Sequence, residues 1–234
     1  MSESIPRFCV IIPAYREEKH IGAVVREVLE YAEDVVVVDD GSPDDTAQEA
    51  ERAGARVLAH VRNQGKGAAL RTGFRHAAER GCELAITMDA DGQHAPSDIP
   101  AFLAAYVRTR CPVIVGNRMG DTRTMPWLRR KTNRFMSGLL SRTMGQYVPD
   151  TQCGFRLYHR DVFPLLVREG SSRYDAESEV LLRISLEGRR IGAVAIQTIY
   201  GAERSKINPF ADTLRFFRML RRFRNIRRQW EKKQ

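Results

Sequence analysis

Apolar and polar positions in this chain follow two alternating rhythms. Short, nearly continuous apolar runs at Phe8–Ile12, Val35–Val38, Ala55–Ala59, Glu83–Met88 and Pro112–Val115 predict buried strands. Between them the period lengthens. Lys19–Ala32 places Ile21, Val24, Val25, Val28 and Leu29 on one helical face. Ser42-Pro43 predicts the start of a second helix, Gly67–Glu79 a third and Pro96–Thr109 a fourth. Strict strand–helix alternation predicts an α/β fold with a mostly parallel central sheet and helices on both faces. After Gly116 the pattern is less regular. Met125–Thr143 and Asp175–Glu187 read as helices, Phe155–Tyr158 as a short strand and Ile191–Ile199 as a longer one. This second half is expected to form the other wall of a crevice.

In such sheets ligands bind beyond the carboxyl ends of the strands. Three polar clusters fall there: Pro13–Glu17, Asp39–Ser42 and Asp89–His94. The third is the most informative. An apolar run ends in Asp89-Ala90-Asp91-Gly92-Gln93-His94, which predicts a hard divalent cation, Mg²⁺ or Mn²⁺, at the rim of the sheet. An EF-hand loop is excluded, because Pro100 stands where that loop needs Glu. The expected chemistry is Lewis-acid support of a sugar-nucleotide diphosphate.

The other clusters suit a nucleoside. Adjacent acids at Asp39 and Asp40 can accept from a ribose or base, Tyr15 can stack on a base, and Glu17 can accept from its amino groups. Asn63-Gln64-Gly65-Lys66-Gly67 suggests an anion loop but lacks the spacing of a P-loop. Arg118, Arg204, Ser205 and Lys206 are candidate diphosphate clamps. The histidines show no ligand spacing among themselves, and neither a Gly-x-Ser-x-Gly elbow nor a Cys–His pairing is present.

The chain has 234 residues and a net charge of +9, and 43% of it is hydrophobic, which suits one globular domain with an appendage. From Arg204 onward eleven Lys/Arg face only Asp212 and Glu231, so the tail carries the whole excess. No apolar run approaches the roughly 18 residues of a membrane span. The N-terminus has no signal-peptide pattern. Four cysteines without CxxC spacing predict reduced thiols in a cytoplasmic protein. Residues 1–208 read as one domain and 209–234 as a basic amphipathic helix. Its apolar stripe runs through Phe216, Met219, Leu220, Phe223, Ile226 and Trp230, and its arginines lie largely on the other side. That pattern predicts peripheral contact with the cytoplasmic face of a membrane. No recognised nucleic-acid motif accompanies the basic tail, so no nucleic-acid partner is expected.

Taken together, Val10–Glu17, Val36–Thr46, Asn63–Gly67, Met88–His94, Gly116–Arg118, Thr151–Tyr158 and Tyr200–Lys206 resemble the family 2 glycosyltransferases of GT-A fold. The closer likeness is to dolichyl- or polyprenyl-phosphate mannosyl- and glucosyltransferases. The resemblance implies an inverting hexosyltransferase. Its donor would be a nucleotide sugar of GDP-mannose or UDP-glucose type, and its acceptor a polyprenyl or dolichyl phosphate. It places the nucleoside on Pro13, Tyr15, Glu17, Val38 and Asp40; Asp39, Lys66, Ala90 and Arg204 are further candidate donor contacts. It places the metal on Asp89, Asp91 and Gln93, and the diphosphate or acceptor phosphate on Arg118 and Lys206. One position departs from relatives: Thr198 stands where the mannosyltransferases carry Arg. The Gln-x-x-Arg-Trp of processive synthases is absent.

A phosphate acceptor is already anionic and needs no general base. A hydroxyl acceptor, the alternative, would need one, and Asp150, Glu177 and Glu179 are the candidates. A sugar nucleotidyltransferase is a further alternative. It would show a glycine-rich loop after the first strand, where this chain has Pro13-Ala14-Tyr15.

Overall fold

The computed structural model describes residues 5–120, 125, 127–168, 176–197 and 199, with Arg218, Leu220, Arg221 and Phe223 of the tail. Within them the first half follows the predicted alternation: β1 (Phe8–Ala14), α1 (Ile21–Leu29), β2 (Val35–Asp39), α2 (Thr46–Arg52), β3 (Arg56–Ala59), α3 (Lys66–Glu79) and β4 (Leu84–Thr87). A single 3-10 turn, Pro96–Asp98, leads into α4 (Ile99–Thr109), and β5 (Val113–Asn117) follows. The second half adds α5 (Trp127–Met144), β6 (Arg156–His159), the short α6 (Phe163–Leu166), α7 (Ala176–Leu186) and β7 (Ile191–Ala195).

The described strands form one sheet in the order β3-β2-β1-β4-β6-β5-β7. Only β6 runs against its neighbours β4 and β5; the other pairings are parallel. Val10, Ile11 and Ile12 of β1 and Val36, Val37 and Val38 of β2 are each 0% exposed. Successive strand side chains point to opposite faces, so both faces are covered, as a near-continuous apolar run requires. One set of helices links α3 with α6 and α7, and α5 joins it through α7. The other pairs α1 with α2 and reaches α4 through the Pro96–Asp98 turn.

Two boundaries differ from the sequence reading. Pro13 does not end β1; it pairs with Val38 of β2. Met88 donates its N–H to the carbonyl of Ile11, so odd-numbered positions of β1 face β4. β4 has ended by the level of Pro13, so its missing N–H leaves no ladder bond unmade there. Helix α2 begins at Thr46 rather than at Ser42-Pro43. The Ser42 hydroxyl and backbone N–H both donate to Asp39 instead, which closes a turn before the helix can start.

All four cysteines are free and buried. Burial pushes the Cys153 thiol up to about 12, so it stays neutral at physiological pH. No described helix is long and apolar enough to cross a membrane. Of the tail stripe, Leu220 and Phe223 are buried within the main apolar core, whereas Arg218 and Arg221 are exposed. At those positions the stripe packs on the body. The rest of the 209–234 segment lies outside the described residues.

Helix α3 lies close against β1 because Gly73 has no side chain: a methyl group there would run into Cγ2 of the fully buried Ile11. A β-branched side chain in a filled core has little room to turn away. Gly73→Ala is therefore expected to lower unfolding stability by about 1–3 kcal/mol. Urea denaturation checks this; an unchanged midpoint would show that the helix shifts at no cost.

Candidate active site

The carboxyl ends of β1, β2 and β4 do converge, and hydrogen bonds explain how. At the end of β2 the Asp40 carboxylate is almost fully buried. It accepts from the backbone N–H of Gln64 at 2.9 Å and of Gly65 at 2.6 Å. His60 Nδ1 lies 2.7 Å from the same carboxylate, and its Nε2 lies 2.9 Å from the Thr72 hydroxyl. The carboxylate only accepts, so Nδ1 carries a proton toward it. Asp40 thereby fastens the Asn63–Gly67 loop to the rim of the sheet. Gly65 adopts φ +94° there, a backbone shape that glycine reaches without strain, and α3 begins at the next residue.

That next residue is Lys66. Its ammonium lies 2.5 Å from Asp89 Oδ1 and 2.9 Å from Glu177 Oε1. Burial alone would push the lysine down, but the two carboxylates outweigh it and hold Lys66 above its ordinary range. Burial alone would push Asp89 up; the Lys66 ammonium, with Arg118, prevails and holds it well below the usual carboxylate range. Asp89 is therefore a fixed anion at the end of β4. Asp91, two residues on, is pushed up by burial and by the charge of Asp89. One of its oxygens accepts from Gln93 N–H at 3.0 Å.

His94 is buried and stacks on Phe155 with ring centroids 5.2 Å apart. Its Nδ1 accepts from Asp89 N–H at 3.3 Å. Burial pushes it down to about 4, so it is a neutral positioning group rather than a cation.

β6 brings a third side to the site. Thr87 donates to the carbonyl of Gly154 at 2.8 Å. A side chain at Gly154 would place its first carbon 2.9 Å from both Asp89 oxygens and 3.0 Å from Glu177 Oε1. Only glycine leaves those carboxylates where they are. The fully buried Arg156 fixes this wall. Its guanidinium donates to the carbonyls of Cys153 at 2.7 Å, Thr151 at 2.9 Å and Glu177 at 2.8 Å, and so joins the loop before β6 to the start of α7.

Of the predicted residues, Pro13, Tyr15, Glu17, Val38, Asp39 and Asp40 line the ends of β1 and β2, and Asp89, Ala90, Asp91 and Gln93 follow β4. The 15–17 segment is held by Arg16 N–H on the Ser42 hydroxyl and Glu17 N–H on the Thr46 hydroxyl. Arg118 follows β5, but its guanidinium is buried and grips Asp150 with two bonds, of 2.7 and 3.0 Å. Arg204, Ser205 and Lys206 lie outside the described residues, as does Thr198. The three candidate bases separate. Asp150 is held by Arg118, and Glu179 pairs with Arg183 at 2.7 Å. Glu177 alone of the three shares a lysine with Asp89. Sequence reading weighted these three acids equally, because the partner that selects Glu177 lies far away in the chain.

Among the described residues no three His, Cys, Asp or Glu side chains gather as a metal cage. A hard cation does not need one here. Mg²⁺ commonly takes one or two carboxylates together with substrate phosphates and water. Asp89 and Asp91 are half-buried at an open strand end and match that donor set.

Glycosyl transferase family 2 matches residues 9–166 of the chain. A UDP-N-acetylglucosamine–dolichyl-phosphate N-acetylglucosaminyltransferase of Methanococcus voltae is 34% identical over 213 residues, which span 82% of this chain and 85% of that one. An undecaprenyl-phosphate mannosyltransferase of Micrococcus luteus is 32% identical over 201 residues, spanning 81% and 82%. Glucosyl-3-phosphoglycerate synthase of Mycobacterium tuberculosis, solved with UDP, superposes with a TM-score of 0.71 at 21% identity, covering 93% of this chain and 80% of that one. The same enzyme has been solved with Mn²⁺, UDP and glucosyl-3-phosphoglycerate, at a TM-score of 0.65 and 22% identity over 95% and 80% of the two chains. Matched across more than half its length and carrying the GT-A arrangement of sheet and rim, the chain belongs to glycosyl transferase family 2.

Proposed function

We propose that this glycosyltransferase moves a hexose, with inversion, from a nucleotide sugar of GDP-mannose or UDP-glucose type to a polyprenyl or dolichyl phosphate. The observation that carries the reading is the Lys66-buttressed Asp89 at the end of β4, beside Asp91 and within the field of Arg118. It is supported by two relatives, each more than 30% identical, whose names specify lipid-phosphate acceptors.

In this reading Pro13, Tyr15, Glu17, Val38, Asp39 and Asp40 hold the nucleoside along the ends of β1 and β2. Lys66, Ala90 and Arg118 adjoin the diphosphate, with Arg204 and Lys206 from the following segment. Asp89, Asp91 and Gln93 would hold Mg²⁺ or Mn²⁺. When bound, the ion supplies Lewis-acid stabilisation of the charge that grows on the departing nucleoside diphosphate. The chain's own part is positional. Lys66 keeps Asp89 ionised, and Asp150 aims Arg118. Gly154 leaves the carboxylates uncrowded. The acceptor phosphate attacks as an anion, so no residue has to take a proton from it. The acceptor also calls for a peripheral place at a membrane surface on its cytoplasmic side.

A second reading, transfer to a hydroxyl, gains from Glu177, the one candidate base that stands at the site. Its carboxylate would then accept the hydroxyl proton. Glu177→Gln separates the two: it should abolish transfer to a hydroxyl but leave much of the transfer to a lipid phosphate.

A panel of sugar nucleotides, with and without Mg²⁺ or Mn²⁺, should give a metal-dependent thermal shift with one donor. That donor should then label polyprenyl phosphate in preference to hydroxyl acceptors; labelling of hydroxyl acceptors alone overturns the proposal. Asp91→Asn should lower transfer by a factor on the order of 100 or more and erase the metal dependence of the shift. Gly154→Ala should lower kcat/KM about 100-fold through displaced carboxylates, with circular dichroism and melting temperature close to wild type. Full activity in Gly154→Ala would mean that Asp89 and Glu177 can move without consequence.

A further inference from the structure

Helix α5 is bound to the body on one side and, among the described residues, exposed on the other. Its inner face carries Asn133, Ser137, Leu140, Ser141 and Met144, all buried. Ser137 Oγ accepts from Thr151 N–H at 2.9 Å, and the Ser141 hydroxyl accepts from Val148 N–H at 3.0 Å. These bonds tie α5 to the loop that ends at Gly154 and holds Arg118 through Asp150. The outer face carries Trp127, Lys131, Arg134, Phe135 and Arg142, all exposed. At about 100° per residue these five fall within one sector of roughly 100°. Trp127 and Phe135 are each 63% exposed, and Tyr147, just past the helix end, is 80% exposed. The Lys131 ammonium sits 5.0 Å from the centroid of the Trp127 ring.

Charge in this region is one-sided. Between Asp121 and Asp150 the sequence contains no Asp or Glu. It contains Arg123, Arg129, Arg130, Lys131, Arg134 and Arg142. An exposed tryptophan and phenylalanine are costly in water, and like charges gathered along one segment repel one another. Both costs fall where aromatic rings enter an acyl boundary and cations meet anionic headgroups. The tail is a weaker candidate, because Leu220 and Phe223 of its stripe are already buried in the core.

We infer that the outer face of α5, centred on Trp127, Lys131, Arg134 and Phe135, is the surface by which the enzyme lies on an anionic lipid bilayer. This deepens the lipid-phosphate reading of the acceptor, on which its biological sense rests. The face is carried on the same helix that pins the Val148–Thr151 segment. Docking there lays the bilayer against the helix whose inner face is bonded to the segment that carries Asp150, the partner of Arg118.

The test uses the full chain with vesicles of phosphatidylcholine alone or mixed with phosphatidylglycerol. Wild type should co-sediment with the mixed vesicles and not with the neutral ones, and salt should release it. Lys131→Ala with Arg134→Ala should weaken binding about 10- to 30-fold, and Trp127→Ala with Phe135→Ala by at least as much. In a Trp230→Phe chain, the emission of Trp127 should shift to the blue on mixed vesicles, a signal independent of any loss of folding in the alanine variants. Vesicle binding equal to wild type in both α5 variants, or an unshifted Trp127, overturns the inference. So does self-association through this face, seen as a dimer in sedimentation that Phe135→Ala dissolves while vesicles have no effect. Transfer to a short, water-soluble polyprenyl phosphate without vesicles is measured in parallel. It should be unchanged by the α5 variants. Its absence in wild type would defeat the acceptor reading while leaving the vesicle result to stand or fall separately.

Discussion

The structure depends on one ammonium group shared between two carboxylates. A parallel sheet delivers the ends of its strands to a single rim, and here that rim is crowded with acid: Asp39, Asp40, Asp89 and Asp91 from the strands, and Glu177 from α7. Gathering like charges in a half-buried space is unfavourable unless a cation is built in. Lys66 is that cation for Asp89 and Glu177. It stands at the first residue of α3, where a Gly65 turn puts it, and the turn is held by Asp40 through two backbone N–H groups. The carboxylate at the end of β2 thus sets the charge state of the carboxylate at the end of β4. The two strands are not neighbours, for β1 lies between them.

This dependence gives some residues different work from what their chemistry suggests in isolation. Asp40 can be read as a ribose contact, yet its oxygens already organise a loop. Arg118 can be read as a phosphate clamp, yet it is oriented by the fully buried Asp150. Neither reading excludes the other, because a carboxylate has more lone pairs than the bonds made here, and a guanidinium has five N–H donors. Removing either partner would leave a buried charge uncompensated, which is why such pairs are exacting to mutate.

Much of the frame was legible in the chain. Runs such as Val35–Val38 are too short and too apolar for anything but buried strands, and the acids after β2 and β4 mark strand ends by the abrupt change in polarity. The strand order was not legible. Nothing local in Phe155–Tyr158 says that β6 inserts between β4 and β5 against their direction. The beginning of α2 was misplaced because Ser42 has two uses, capping a helix or closing a turn on Asp39, and sequence does not rank them. Glu177 could not be told apart from Asp150 and Glu179, since the choice is made by Lys66 and Arg118, each distant in the chain. Arg156 reads as an ordinary strand residue; its three carbonyl partners exist only once the loop and α7 have arrived.

The antiparallel course of β6 has one more consequence. β5 ends and β6 begins at the same rim, and the Arg118–Asp150 pair fastens the two points together. Everything between them, α5 included, is an excursion whose base is already clasped. A chain segment that leaves and returns at neighbouring points can be exchanged on its outer face with little strain on the scaffold, provided the buried inner positions Ser137, Leu140, Ser141 and Met144 are kept. Chimeras grafted at this clasp with those inner positions kept would carry a foreign outer surface on the same sheet and rim.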